Sequence, residues 1–167
     1  MAFSGITMLL SMLGNRRAIL LIALVLPWLI PFSGCNRGPA MSEVRGKVFY
    51  KDGTVPRAAV CVVRFEPTDA STAEIRKGAS GAIEADGSFE LFTRVPDDGV
   101  YNGEYAVTFG VYKAVTNMTP LIAEKYTRAD TTPYKVMVDD DIDDLKFEIE
   151  PLPGVTGVPP STSAALN

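Results

Sequence analysis

The 167-residue sequence contains no histidine, one tryptophan and two cysteines. Without imidazole the usual general base, the commonest zinc ligand and the middle member of nucleophilic triads are all missing, which excludes most familiar hydrolytic machinery. The two cysteines, Cys35 and Cys61, would pair only in an oxidising compartment, and Cys61 lies within AVCVVRF, where a small apolar side chain suits a buried strand. Clustered cations are lacking too. Removing residues 1–34 takes away Arg16 and Arg17 and no acid, so 14 basic residues remain against 20 acidic ones, a net charge of −6. The basic residues are scattered among acids, which excludes nucleic acid as a partner. What is abundant is apolar side chains, 47% of the chain, enough for one domain with a real core.

Part of that apolar content is concentrated near the start. Arg16 and Arg17 precede AILLIALVLPWLIP, a run of 14 residues from Ala18 to Pro31. Its length falls short of the roughly 20 residues that span a bilayer, and Pro27 interrupts its backbone bonding. A charged region followed by a short apolar region is the pattern of an export signal. FSGC follows and resembles the bacterial lipoprotein box, a bulky apolar residue and two small ones before cysteine, with Phe32 where leucine is usual. The resemblance implies that Cys35 becomes the first residue and accepts acyl chains. At about 0.8 kcal/mol per buried methylene, two chains already anchor a protein stably. Three other readings stay open: an uncleaved membrane anchor, an ordinary signal cleaved without lipid, and export by the twin-arginine route.

Past Cys35 the chain changes character. Residues 36–42 lack periodicity and read as a tether. From Val44 the pattern has period two: Val44, Gly46, Val48 and Tyr50 fall on one face, with Arg45, Lys47 and Phe49 on the other. The KDG turn at Lys51–Gly53 leads to a second strand with Cys61, Val63 and Phe65 on one side, ended by Pro67. Asp86 and Gly87 mark a hairpin between Ile83 and a strand whose Phe89 and Leu91 share a face. After the VPDDG turn, Tyr105, Val107, Phe109 and Val111 recur at even spacing, the mark of a central strand. Thr119 and Pro120 are placed to cap and start one helical turn carrying LIAEKY, with Leu121 or Ile122 and Tyr126 tucked against the sheet edge. YKVMV and LKFEIE close the series around the acidic turn DDDIDD, and PLPGVTGVPPSTSAALN is expected to be disordered. The expected organisation is a signal over 1–34, a tether over 35–42, a domain over 43–151 and a loose tail over 152–167. About seven short strands separated by turns predict an all-β fold, an antiparallel sandwich.

Four stretches, VRGKVFYKDGTVPRAAVCVVRFEP, GASGAIEADGSFEL, PDDGVYNGEYAVTFGVY and PLIAEKYTRADTTPYKVMV, together resemble small bacterial lipoproteins with a transthyretin-like, carboxypeptidase-regulatory-like domain. The resemblance spans residues 44–150. It implies a seven-stranded, Ig-like prealbumin sandwich with no catalytic role and no cofactor. Asn102 and Ala123 stand where that family often has proline, and Tyr134 where leucine is common. Transthyretin-related enzymes that open purine-derived rings depend on histidines, which are absent here.

Three constellations compete with plainer readings. Asp139, Asp141, Asp143 and Glu150 occupy places 1, 3, 5 and 12 of a calcium loop, yet Asp144 sits at place 6, where the sharp turn needs glycine. An EF-hand is rejected, which leaves weak calcium binding by Asp139, Asp141 and Asp143 or simply a solvated turn. Glu84, Asp86 and Glu90 offer carboxylates for acid–base chemistry, but their apolar neighbours face the other way, so all three should meet water. Tyr101, Tyr112 and Tyr126 are candidates for an exposed ligand surface, against core or edge packing. The expected protein is a module tied to the membrane through lipidated Cys35, facing the periplasm or exterior of a cell or outer membrane, with an envelope protein or a glycan as candidate partner.

Overall fold

In the computed structural model of the chain, the residues described are 38–160. Ten strands run in the order β1 (Met41–Ser42), β2 (Val44–Tyr50), β3 (Val60–Pro67), β4 (Ala79–Ala82), β5 (Ser88–Glu90), β6 (Val100–Tyr101), β7 (Gly103–Ala114), β8 (Asn117–Pro120), β9 (Lys135–Val138) and β10 (Ile142–Ile149). One sheet has the order β10-β2-β5. The other has the order β4-β3-β7-β8, with β9 also paired to β7, and β1 pairs with β6 alone. The domain is an all-β sandwich, as the alternation predicted. All seven expected strands are present, and β1, β6 and β8 are additional.

The core is built by period-two burial. Val44, Val48 and Tyr50 of β2 face Val63 and Phe65 of β3, Phe89 of β5, and Phe147 and Ile149 of β10 within one buried cluster. Tyr105, Val107, Phe109 and Val111 are at most 1% exposed, so β7 is the central strand its spacing implied. The opposite face of β7 is closed as well. Ala106 and Thr108 are small and covered, and the Tyr112 ring lies where a Cβ on Gly110 would stand. A chain of rings joins the sheets: Phe109 of β7 meets Phe147 of β10 edge-on at 5.5 Å, and Phe147 stacks on Phe89 of β5 at 5.9 Å. Such aromatic contacts add about 0.5–1.5 kcal/mol each beyond the area they bury.

Two turns explain why the sheets join where they do. Gly87 adopts φ +86°, which the Asp86–Gly87 hairpin requires, and Asp86 Oδ1 accepts both the amide (3.0 Å) and the hydroxyl (2.6 Å) of Ser88. Those bonds hold the Asp86 carboxyl below its ordinary pKa, with Lys47 at 3.6 Å adding to the effect. Beyond β5 the chain stays beside β4, where Ser80 and Phe92 exchange amide–carbonyl bonds of 3.0 and 3.1 Å.

Several expectations are corrected. The β2–β10 pair is parallel, with Phe147 opposite Val48, because β10 crosses to the second sheet after β9 and runs along β2. Alternation reports which face is buried and carries no information on a neighbour's direction. Thr119 and Pro120 begin no helical turn at their position. Pro120 ends β8, and a short 3-10 turn forms later, at Glu124–Tyr126. Ile122 and Tyr126 are nonetheless buried. The acidic turn is shorter than expected, since β10 already begins at Ile142 and bulges between Ile142 and Leu145. The domain boundaries move outward at both ends. Met41 and Ser42 leave the tether to pair with Tyr101 and Val100, and residues 152–160 are not loose. Val55 and Val158 exchange backbone bonds of 2.8 and 3.1 Å, and Leu152 N–H donates to Leu121 O at 2.9 Å. A Pro- and Gly-rich composition rules out regular elements without ruling out single bridges to a free edge. The signal over 1–34, Cys35 and residues 161–167 lie outside the described residues.

Candidate functional site

The side chains singled out in the sequence do not converge. Tyr101, Tyr112 and Tyr126 are 4%, 8% and 4% exposed, so they pack in the core or at its edge and form no exposed ligand surface. Each ring has a structural task. Tyr101 Oη accepts from Arg94 Nη2 at 2.6 Å, Tyr112 covers Gly110, and Tyr126 stacks on Tyr134 at 6.1 Å with Lys125 Nζ 4.8 Å from its centroid. Alternation had marked only Tyr105 as core; its hydroxyl donates to Tyr101 O at 2.7 Å.

The aspartates of the acidic turn are likewise used one by one. Asp141 Oδ1 accepts the Glu43 amide at 2.8 Å, Asp143 Oδ1 meets Arg45 Nη1 at 3.4 Å, and the Asp139 carbonyl accepts from Asn102 Nδ2 at 2.9 Å. These bonds fasten the start of β10 to β2 and β6. Among the described residues no three acidic or thiol groups are placed to hold a metal ion, so Asp139, Asp141 and Asp143 form no calcium cluster.

A concave surface forms instead on the outer face of β10-β2-β5, extended by β4 and by the loop after β5. Its volume is about 630 Å³, within the range of roughly 300–1,000 Å³ typical of ligand sites. Alternation creates this face: with Gly46 and Val48 turned inward, Arg45 and Lys47 of β2 must point out, and so must Ser88 and Glu90 of β5. Arg45 stands at the centre. Its Nη2 reaches Glu43 at 2.7 Å and Glu90 at 2.9 Å, and Nη1 reaches Asp143. The hydrogen bond to Glu90 raises its pKa most; desolvation opposes this, and the charges of Glu43 and Glu90 and the bond to Asp143 add to the rise.

One wall of the groove is the loop from Thr93 to Gly99. Asp98 accepts the amides of Thr93 (2.7 Å), Arg94 (2.9 Å) and Val95 (3.2 Å). Desolvation pushes the Asp98 carboxyl up, but the three amides together outweigh it and hold its pKa below the ordinary 3.8. A depressed folded-state pKa means that the ionised side chain stabilises the fold above its unfolded value, and that this is lost as pH falls through the folded value. The melting temperature of wild type should therefore exceed that of Asp98→Asn by a constant margin above about pH 5, and the two curves should converge on acidification. Curves that stay parallel down to acid would show that the carboxylate does not clamp the loop. Next to it, Asp97 holds φ 66°, a left-handed conformation that costs a residue other than glycine energy and that aspartate tolerates better than most.

No single stretch announces this groove, because its lining comes from residues 45–47, 82–92, 96–97 and 143–146. The local cues are the outward Arg45 and Lys47 and the VPDDG turn, which by themselves mark only a face and a turn.

By sequence the chain matches no known protein family and no curated protein. Among solved structures it is similar to a DUF3823 family protein from Parabacteroides merdae, at 18% identity with a TM-score of 0.40, covering 68% of this chain and 48% of that one. The chain thus spans about half the length of that protein. Fold and groove together define an all-β sandwich module with an open, charged sheet face.

Proposed function

We propose that the protein is a non-catalytic envelope module of the transthyretin-like type, held on a membrane by lipid on Cys35 and serving in binding or as a structural element. The observation that carries this reading is LPWLIPFSGC, a short apolar run that ends on two small residues and a cysteine, six residues before β1 begins at Met41. A tether of that length keeps the sandwich close to the bilayer. The non-catalytic part rests on chemistry: the chain has no histidine, and the best-placed carboxylates, Asp86, Asp98 and Glu90, are engaged in turn and ion-pair bonds. An adaptor role, in which the module recruits a protein partner, is the second reading. It is favoured by the groove, whose charges are only partly satisfied within the chain.

The test is a phase separation of native membranes. Wild-type chain should enter the detergent phase, and the mass of its first peptide should show an acylated Cys35. Cys35→Ala should move to the aqueous phase. Water-extractable wild-type protein with an unmodified thiol would refute the anchor.

A further inference from the structure

The geometry points to the groove on β10-β2-β5 as a docking site for an extended cationic peptide segment of a partner protein, one that alternates basic and apolar side chains. This inference rests on the reading of the chain as a binding module and supplies its partner chemistry.

Charge is the first argument. Three cations line the groove, Arg45, Lys47 and Lys146, against five carboxylates. Arg45 is already committed to Glu43, Glu90 and Asp143, and Lys47 to Asp86. Glu84, Asp97 and Asp144 have no ion-pair partner among the described residues, and Lys146 is the one lining cation equally uncommitted. The groove therefore retains a negative excess that its own side chains do not neutralise. A concave, low-dielectric surface strengthens the attraction of such an excess for cations.

The second argument is what lies between the charges. Phe92 and Leu145, both half-buried, and the exposed Pro96 supply an apolar floor. A bare polyamine would leave that floor unused, whereas a peptide in strand conformation presents side chains alternately to floor and rim. The three uncommitted carboxylates sit on separate walls: Glu84 beside the β4–β5 hairpin, Asp97 on the loop, and Asp144 in the bulge of β10. They match cations spread along a chain better than a single point charge.

The third argument is rigidity. Asp98 ties down the loop that carries Asp97, and Glu84 is fixed by the hairpin, where its amide donates to Ser88 O at 2.8 Å and its carbonyl accepts from Gly87 at 3.0 Å. Walls held in advance spare a ligand the cost of ordering them.

The test uses the detergent-solubilised full-length chain and fluorescein-labelled hexapeptides, read by anisotropy. Lys-Leu-Lys-Leu-Lys-Leu should bind at least about tenfold more tightly than Glu-Leu-Glu-Leu-Glu-Leu and than labelled spermine, and should weaken as salt rises. Combining Glu84→Gln, Asp97→Asn and Asp144→Asn should cost about tenfold in affinity, since each removes one charge without changing shape. A control with the same loss of charge, Asp69→Asn, Glu124→Gln and Asp130→Asn, should bind as wild type. Thermal melts verify that both variants fold. Equal binding of spermine, equal weakening in the control, or no preference for the cationic peptide would overturn the proposal. Because the same titration runs on Cys35→Ala, failure of the lipid anchor and failure of the groove are read separately.

Discussion

Replacing Phe109 with alanine is expected to lower the unfolding free energy by about 3–5 kcal/mol, and the melting temperature by roughly 10–20 °C. The residue is 1% exposed on the central strand, and its ring meets Phe147 at 5.5 Å, Tyr134 at 6.0 Å and Tyr126 at 6.4 Å, each edge-on. Those three rings come from β10, from the segment before β9 and from the 3-10 turn, so one truncation loosens contacts that hold both sheets and the long connection. The neighbours cannot close the gap, because the Tyr134 hydroxyl is fixed to the backbone of Glu148, donating to its carbonyl at 2.5 Å and accepting from its amide at 3.2 Å. Urea unfolding with linear extrapolation measures the loss. A cost under about 1 kcal/mol would mean that the ring cluster is not the centre of the core.

The second large effect is expected from Gly81→Ala. A Cβ at this position is driven into the carbonyl of Glu90, a backbone group that no side-chain rotation can move aside. Gly81 pairs with Val63 on one side while β5 runs close on the other, so β4 has no direction in which to retreat. The substitution should cost about 3 kcal/mol, the upper end of ordinary overpacking, by prising β4 from β5. It should also abolish the mutual Ser80–Phe92 bonds, which hydrogen exchange at those two amides reports. Ala82→Ser, one residue on and exposed, should leave stability within about 0.5 kcal/mol of wild type. A Gly81→Ala protein as stable as wild type, with both amides still protected, would show that the two strands do not close against each other there.

How far these features were readable in advance depends on how local their cause is. Burial of Val44, Val48, Tyr105 and Phe109 follows from strict alternation, and the hairpin at Asp86–Gly87 from turn chemistry confined to two residues. The parallel β2–β10 pair was not readable, because it joins residues about a hundred positions apart and pattern alone does not say who the neighbour is. Tyr126 shows the same limit at a single residue. Its burial against the sheet was expected, but the 3-10 turn that carries it and the rings it closes on, Phe109 and Tyr134, were not. The groove escaped for the reason the pair did, since its carboxylates gather only when β4, the loop at Asp97 and β10 have been brought side by side. Residue type alone left the tyrosines and aspartates open: of the two readings of each, the rings take the packing one, and Asp141 and Asp143, expected either to bind calcium weakly or to meet water, fasten strands.

The parallel contact between β2 and β10 also has a consequence in time. β2 is synthesised early and the strand that must lie beside it almost last, with the Glu43–Asp141 bond spanning 98 positions. Until then one side of β2 stands open, and open strand edges recruit other chains. Folding of this sheet therefore waits until nearly the whole domain has been made, and is slow in the manner of topologies with distant pairings. Protection of that open edge until β10 arrives is what such a chain most needs.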